Sequence, residues 1–242
     1  MPGLHLKILH RAGLLRLYYW LCRPNFDGAH SRLWWETRDQ TGSSAEAYWA
    51  NRIHVSRDII AQQVAALPGD SILEVGCHAG PTLWAIGQRK RFRRMAGTEL
   101  SPTILDFTRA HLPAELNTEV ELVQASADRL PFPDKSFDVV VTGALLACIG
   151  PERIMPSLAE MLRVCRGHLV LGEIHTDHPR LATPKGRKER YPNTSYWIRN
   201  YAGLLKNRAA LVHVEHFTPE QKQGQGHIDS VMVFKVSAPP QS

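Results

Sequence analysis

Apolar positions along this chain change period at regular intervals. Between Ala45 and Leu67, the apolar Val55, Ile59, Ile60, Val64 and Leu67 recur at helical spacing, which predicts a helix that Pro68-Gly69-Asp70 ends. Ser71–Val75 is a short apolar run and predicts a strand. It breaks into two glycines four apart, Gly76 and Gly80, before helical spacing resumes to about Arg89. The order then repeats. Met95–Glu99 predicts a second strand, and Ser101 caps a helix with Pro102 at its first position that runs to His111. Val120–Ala125 and Phe137–Val141 predict two more strands, Pro151 opens a helix to Cys165, and His168–Ile174 predicts a fifth strand. Residues 176–193, with Pro179, Pro184 and Pro192, predict a loop. A helix over Tyr196–Lys206 and two extended runs, Leu211–Phe217 and Asp229–Val236, complete the chain. Strand and helix in alternation predict an α/β fold, a mostly parallel sheet with helices on both faces and one antiparallel strand.

Length and charge refine this picture only locally. The 242 residues suffice for one substantial core, either a single larger domain or a domain plus appendage. The formal charge of +6 is concentrated in two runs, Arg89–Arg94 with five basic residues and no acid, and Lys185–Arg190 with four against one. Global basicity is therefore a weak argument for nucleic acid. By topology, Arg89–Arg94 falls at the sheet edge away from a ligand crevice, while Lys185–Arg190 falls on the crevice side, where it can meet an anionic substrate. The cysteines Cys22, Cys77, Cys148 and Cys165 are far apart, without metal-ligand spacing, so a reduced, cytoplasmic chain is the simplest fit. Residues 4–21 are apolar but interrupted by Lys7, His10, Arg11 and Arg16; they do not read as a membrane span, and peripheral membrane contact or packing on the domain are the readings left.

The chemistry starts at ILEVGCHAG, Ile72–Gly80. A strand that breaks into glycines before a helix leaves backbone N–H groups free and lets a ligand approach closely, as nucleotide-type cofactors require. The dinucleotide fingerprint has a different spacing: here Glu74 precedes the first glycine, and His78 stands where a middle glycine is expected. An acid inside the turn suits a ligand with a positive end. Nineteen residues beyond Gly80, Glu99 closes the second strand, where a carboxylate can accept from both hydroxyls of a ribose. Near the end of the fifth strand, Glu173 and His175 share a face, and His175 is the first candidate for a general base.

With LPFPDKSFDVV, Leu130–Val140, added, the chain resembles the class I S-adenosylmethionine-dependent methyltransferases, most closely the broad small-molecule subgroup with an L-P-F-x-D-x-S-F-D segment. The resemblance covers roughly residues 72–174. It implies a Rossmann-like, seven-stranded sheet with the last strand antiparallel, an N-terminal helical cap over residues 1–67 and a methyltransferase domain over 68–242. It further implies that Glu74, Gly76, Cys77, His78 and Gly80 wrap the amino-acid part of S-adenosylmethionine. Glu99 would take the ribose, with Leu100 beside the adenine, and Ser126, Ala127 and Thr142 would complete the set. Ser126 stands where the subgroup often has an Asp that contacts the adenine amino group, and His78 replaces a glycine.

The expected activity is methyl transfer from S-adenosylmethionine to a small or medium-sized acceptor, anionic acceptors included, through O or N. Two rivals stand beside it: an RNA methyltransferase, and a catalytically silent fold that binds the cofactor or a partner. There is no Asn/Asp-Pro-Pro-aromatic tetrad, which counts against nucleic-acid amino groups.

Overall fold

The computed structural model describes Trp35 and residues 43–191, 194–218, 221 and 228–236. Residues 4–21, and with them the expected cationic segment, lie outside the described residues. The elements are α1 Ser43–Ala50, α2 Val55–Ala66, β1 Ser71–Val75, α3 Pro81–Gly87, β2 Arg94–Glu99, α4 Pro102–Leu116, β3 Glu121–Gln124, β4 Phe137–Gly143, α5 Pro151–Val164, β5 Cys165–Glu173, β6 Arg187–Tyr191, β7 Thr194–Ile198, α6 Tyr201–Leu205, β8 Ala209–His216 and β9 Ser230–Val236. Seven strands form one sheet in the order β3-β2-β1-β4-β5-β9-β8. β1 to β5 run parallel, and β9 pairs antiparallel with both β5 and β8. The strand order reverses between β1 and β4, and the crevice above such a reversal is where open sheets of this kind hold ligands.

Both faces of the sheet are covered, which is why its strands read as continuous apolar runs. Ile72, Val139, Val141, Val170, Val231 and Val233 face one core, joined by Ile60 and Val64 of α2 and Leu83 and Ile86 of α3. Leu73, Val140, Leu169, Leu171, Met232 and Phe234 face the other, against Leu158 and Met161 of α5 and Tyr201 of α6. The two-residue period of a strand sorts neighbouring residues to opposite cores. α2 precedes residue 67, where the expected cap ends, yet its apolar face lies in the sheet's own core.

Three expectations need correction. The helix over 45–67 is two helices, because His54 adopts an extended conformation and its Nδ1 accepts the Ser56 N–H, starting a new helix at Val55. The helix from Ser101 passes Pro113 and stops only where Asn117 turns left-handed at φ 48°. Proline costs one backbone bond there, and burial of Leu112 at the helix end offsets it. The end of the expected loop and the start of the expected helix form a hairpin, β6–β7, in which Lys188 faces Trp197 and Glu189 faces Tyr196, and the helix begins only at Tyr201. Tyr196 and Ile198 alternate into a small apolar cluster with Ala147 and Ile174, a period of two that the mixed pattern around Tyr196–Lys206 hid.

At the end of the sheet away from the crevice, Asp138 is the hub. Its Oδ2 accepts from the backbone N–H groups of Asp70 (3.0 Å) and Ser71 (3.1 Å) and from the Ser71 hydroxyl, and its Oδ1 accepts from Arg166 of β5. Hydrogen bonding to Arg166 leads the causes that hold this carboxyl far below its ordinary range. The basic run sits at the same end and is matched by acids: Arg89 with Asp58, Arg93 with Asp70, Arg94 with Glu121.

Candidate active site

A cleft opens over the C-terminal ends of β1, β2 and β4. Its first wall is built from backbone. Beyond β1 the chain passes through three left-handed residues, Gly76 at φ 75°, His78 at 48° and Gly80 at 81°. At Gly76 a side chain is excluded twice over, by the positive φ and because a Cβ there would stand 2.7 Å from Leu145 Cδ1. The turn is fixed by the Cys77 N–H on the Thr98 carbonyl (2.8 Å) and the Gly80 N–H on the Cys77 carbonyl (2.8 Å). The Thr108 hydroxyl donates to the His78 carbonyl (2.9 Å). His78 finds room because its ring lies against Tyr48 of α1, with centroids 4.2 Å apart.

Glu99 ends β2 with its carboxylate gripped by backbone: Oε2 accepts the His78 N–H (3.1 Å), and Oε1 accepts those of Leu100 (2.7 Å) and Ser101 (3.0 Å). Next to it, Leu100, Ser126 and Ala127 line the cleft. The Ser126 hydroxyl donates to Asp128 Oδ1 (2.6 Å) and accepts from Arg153, which also reaches both oxygens of Asp128. Burial works against ionising Asp128, but these bonds outweigh it and keep the carboxyl below its ordinary range.

The opposite wall is the segment after β4: Ala144, Leu145, Cys148 and Ile149. It is held from behind by two buried charged side chains. Glu173, fully buried, accepts from the Thr142 hydroxyl (2.8 Å) and from the backbone N–H groups of Leu145, Leu146 and Ala147. Burial pushes its carboxyl up to about 7, against the pull of those donors. Arg199, also fully buried, donates to the carbonyls of Leu146 (3.1 Å), Ile149 (2.8 Å) and Pro184 (2.8 Å), tying the wall to the ends of the β6–β7 hairpin.

Residues 72–168 match a family model described as a methyltransferase domain. Over these residues the chain carries a methyltransferase domain. The ubiquinone biosynthesis O-methyltransferase of Alkalilimnicola ehrlichii is 29% identical over 157 residues, 62% of this chain and 58% of that protein. The phosphatidylethanolamine N-methyltransferase of Cereibacter sphaeroides is 33% identical over 140 residues, 55% and 66% of the two chains. This chain spans less than two thirds of the length of these relatives. Among solved structures, magnesium protoporphyrin IX methyltransferase from Synechocystis with bound SAH superposes with a TM-score of 0.61 at 13% identity, over 85% of this chain and 98% of that one. At that identity the likeness is one of fold.

Gly76, His78, Glu99, Leu100, Ser126 and Ala127, expected at the cofactor, all line the cleft. Four expected residues support it instead. Glu74 is 2% exposed beneath it, Cys77 packs its sulfur toward Gly97, Gly80 caps α3, and Thr142 turns its hydroxyl to Glu173. Burial raises the Glu74 carboxyl to about 8, and its Oε2 is buried without a hydrogen-bond partner.

His175, the expected base, lies away from this cleft. Its side chain is wholly buried, and its Nδ1 accepts the Tyr201 N–H while Nε2 meets Asp177 (3.1 Å). It is not among the residues that line the cleft, and burial keeps it below its ordinary pKa. Among aromatic residues, Tyr48 lines the cleft, whereas Trp49 and Tyr196 pack in cores. Arg153 and Arg199 carried no sequence signal, since each acts through partners distant in the chain. Among the described residues no helix is long and apolar enough to cross a membrane, and no group of three or more His, Cys, Asp or Glu could hold a metal ion.

Proposed function

We propose that this chain binds S-adenosylmethionine and transfers its methyl group to a small or medium-sized acceptor. The observation that carries the reading is the backbone cradle from Gly76 to Gly80, closed against the Glu99 carboxylate in the same cleft. The residues fit such a ligand. Glu74, with an unpartnered buried oxygen under the turn, matches the positive amino-acid end; Glu99 matches a ribose diol; Leu100 and Ala127, with the Ser126 hydroxyl, offer an apolar slot with one acceptor for a purine. When bound, the cofactor supplies an electrophilic methyl on a sulfonium. The chain's own part is to position the acceptor and exclude water.

The wall facing the cradle, Ala144, Leu145, Cys148 and Ile149, is apolar, which suits an acceptor with a substantial hydrocarbon or aromatic part. Relatives named for ubiquinone biosynthesis, phosphatidylethanolamine and demethylmenaquinone support amphiphilic acceptors of this kind. The ion-paired state of the Arg89–Arg94 run, at the far end of the sheet, favours a small molecule over RNA. The test is transfer of labelled methyl from S-adenosylmethionine into fractionated cell extract. Label in the lipid fraction supports the reading, label only in the aqueous fraction changes the acceptor class, and no label in any fraction leaves a binding protein.

A further inference from the structure

We propose that Asp128 and Arg153 decide which base the cleft accepts: they lock the Ser126 hydroxyl as an acceptor, so that the site selects a purine with a 6-amino group over one with a 6-oxo group. The inference rests on the cofactor reading above and gives a role to an ion pair beside the cleft. A free serine hydroxyl turns to donate or accept as a ligand requires. Here that freedom is gone. The Ser126 hydrogen goes to Asp128 Oδ1 (2.6 Å), and Arg153 Nη2 donates to the Ser126 oxygen. One lone pair is left on that oxygen, and only a donor can use it.

The lock is itself held firmly. Arg153 grips both oxygens of Asp128 through Nε and Nη2, a planar two-point pairing that a lysine could not reproduce. Both side chains are 22% exposed. Burial opposes ionisation of Asp128, but its bonds to Arg153 and Ser126 outweigh it and leave a carboxylate, which can only accept. Ser126 and Arg153 both line the cleft, with Ala127 after Ser126 and Leu100 next to Glu99. The order of the sheet brings the base to them. β1, β2 and β3 are neighbours, with about 4.8 Å between adjacent strands. A ligand with its positive end at the turn after β1 and its diol on Glu99 at the end of β2 therefore extends its base toward the residues after β3.

S-adenosylhomocysteine and its 6-oxo analogue, S-inosylhomocysteine, differ only at positions 1 and 6 of the purine, so the ratio of their affinities reads that edge alone. Calorimetric titration of the whole chain should show the adenosyl ligand favoured at least about tenfold, because a 6-oxo group would set one acceptor against another. Asp128→Ala combined with Arg153→Ala strands neither charge and frees the hydroxyl to donate, so the preference should fall to about twofold or less. Ser126→Ala removes the acceptor outright and should lower the preference to the same level, which keeps the test open where the double variant does not fold. Equal affinities in the unaltered protein, or an unchanged preference in Ser126→Ala or in the folded double variant, overturn the inference while the cofactor reading stands. Failure of the unaltered protein to bind either ligand overturns the cofactor reading and this inference together.

Discussion

The two walls of the cleft are made in opposite ways. The wall after β1 is backbone: positive-φ residues, short N–H to carbonyl bonds and a carboxylate gripped by three amides within a stretch of the chain from residue 76 to 101. The wall after β4 is a plain apolar segment whose shape comes from behind, from Glu173 and Arg199, which reach it across sequence separations of 26 to 53 residues. A wall built on backbone tolerates little change at its own residues. A wall held by remote side chains can vary its surface freely while its supports cannot change. In the proposed function, this separates a constant ligand half from an adaptable acceptor half.

The comparison is most severely tested at the support. Glu173→Ala should lower stability by about 3–5 kcal/mol, since it strands four donors and removes the charge that offsets buried Arg199. Urea unfolding measures this, and a loss within experimental error would mean the wall holds itself. Gly76→Val should weaken S-adenosylhomocysteine binding by roughly 30-fold or more, about 2 kcal/mol, through the clash with Leu145 and the positive φ; equal affinity by calorimetry would show that the cradle is not the ligand wall. Glu99→Ala should cost about tenfold in the same titration if, as proposed, its carboxylate accepts from the ligand's diol.

A smaller effect is expected from Glu74, raised to about 8 by burial. A carboxyl raised in the folded state favours folding in its protonated form, and that contribution disappears as pH climbs from its ordinary value toward 8. Stability should therefore decline over this range, and Glu74→Gln should flatten its share of the decline. Opposite behaviour, with stability rising in step with Glu74 ionisation, would show the carboxylate to be already compensated. Least of all should change in His175→Ala, whose turnover per folded molecule should match the unaltered protein, because the ring is not among the groups that line the cleft.

What was legible in the sequence follows the same division. The sheet, its order of elements and the turn at Gly76–Gly80 are local patterns, and glycines beside a strand end announce backbone geometry directly. Glu99 was found by spacing alone. His175 lies away from the cleft because sharing a strand face with Glu173 fixes the side but not the depth, and at the β5 end Asp177, Tyr201 and His216 enclose the ring. The β6–β7 hairpin was hidden because only two of its residues, Tyr196 and Ile198, face an apolar cluster, too few to stand out from a helical pattern. Arg153 and Arg199 looked like ordinary surface charges, since the carboxylate and carbonyls they meet lie 15 to 53 positions away.

Asp138 has a mechanical consequence. By joining the β1 entry to β4 and, through Arg166, to β5, it pins the foot of the strands between which the cleft opens. Strands clamped at one end cannot slide past one another, so breathing of the cleft must be taken up as splay at the opposite end and in the segments after β1 and β4. In hydrogen exchange, the amides of Asp70 and Ser71 would then be among the last to release their protons, and those of the two cleft walls among the first.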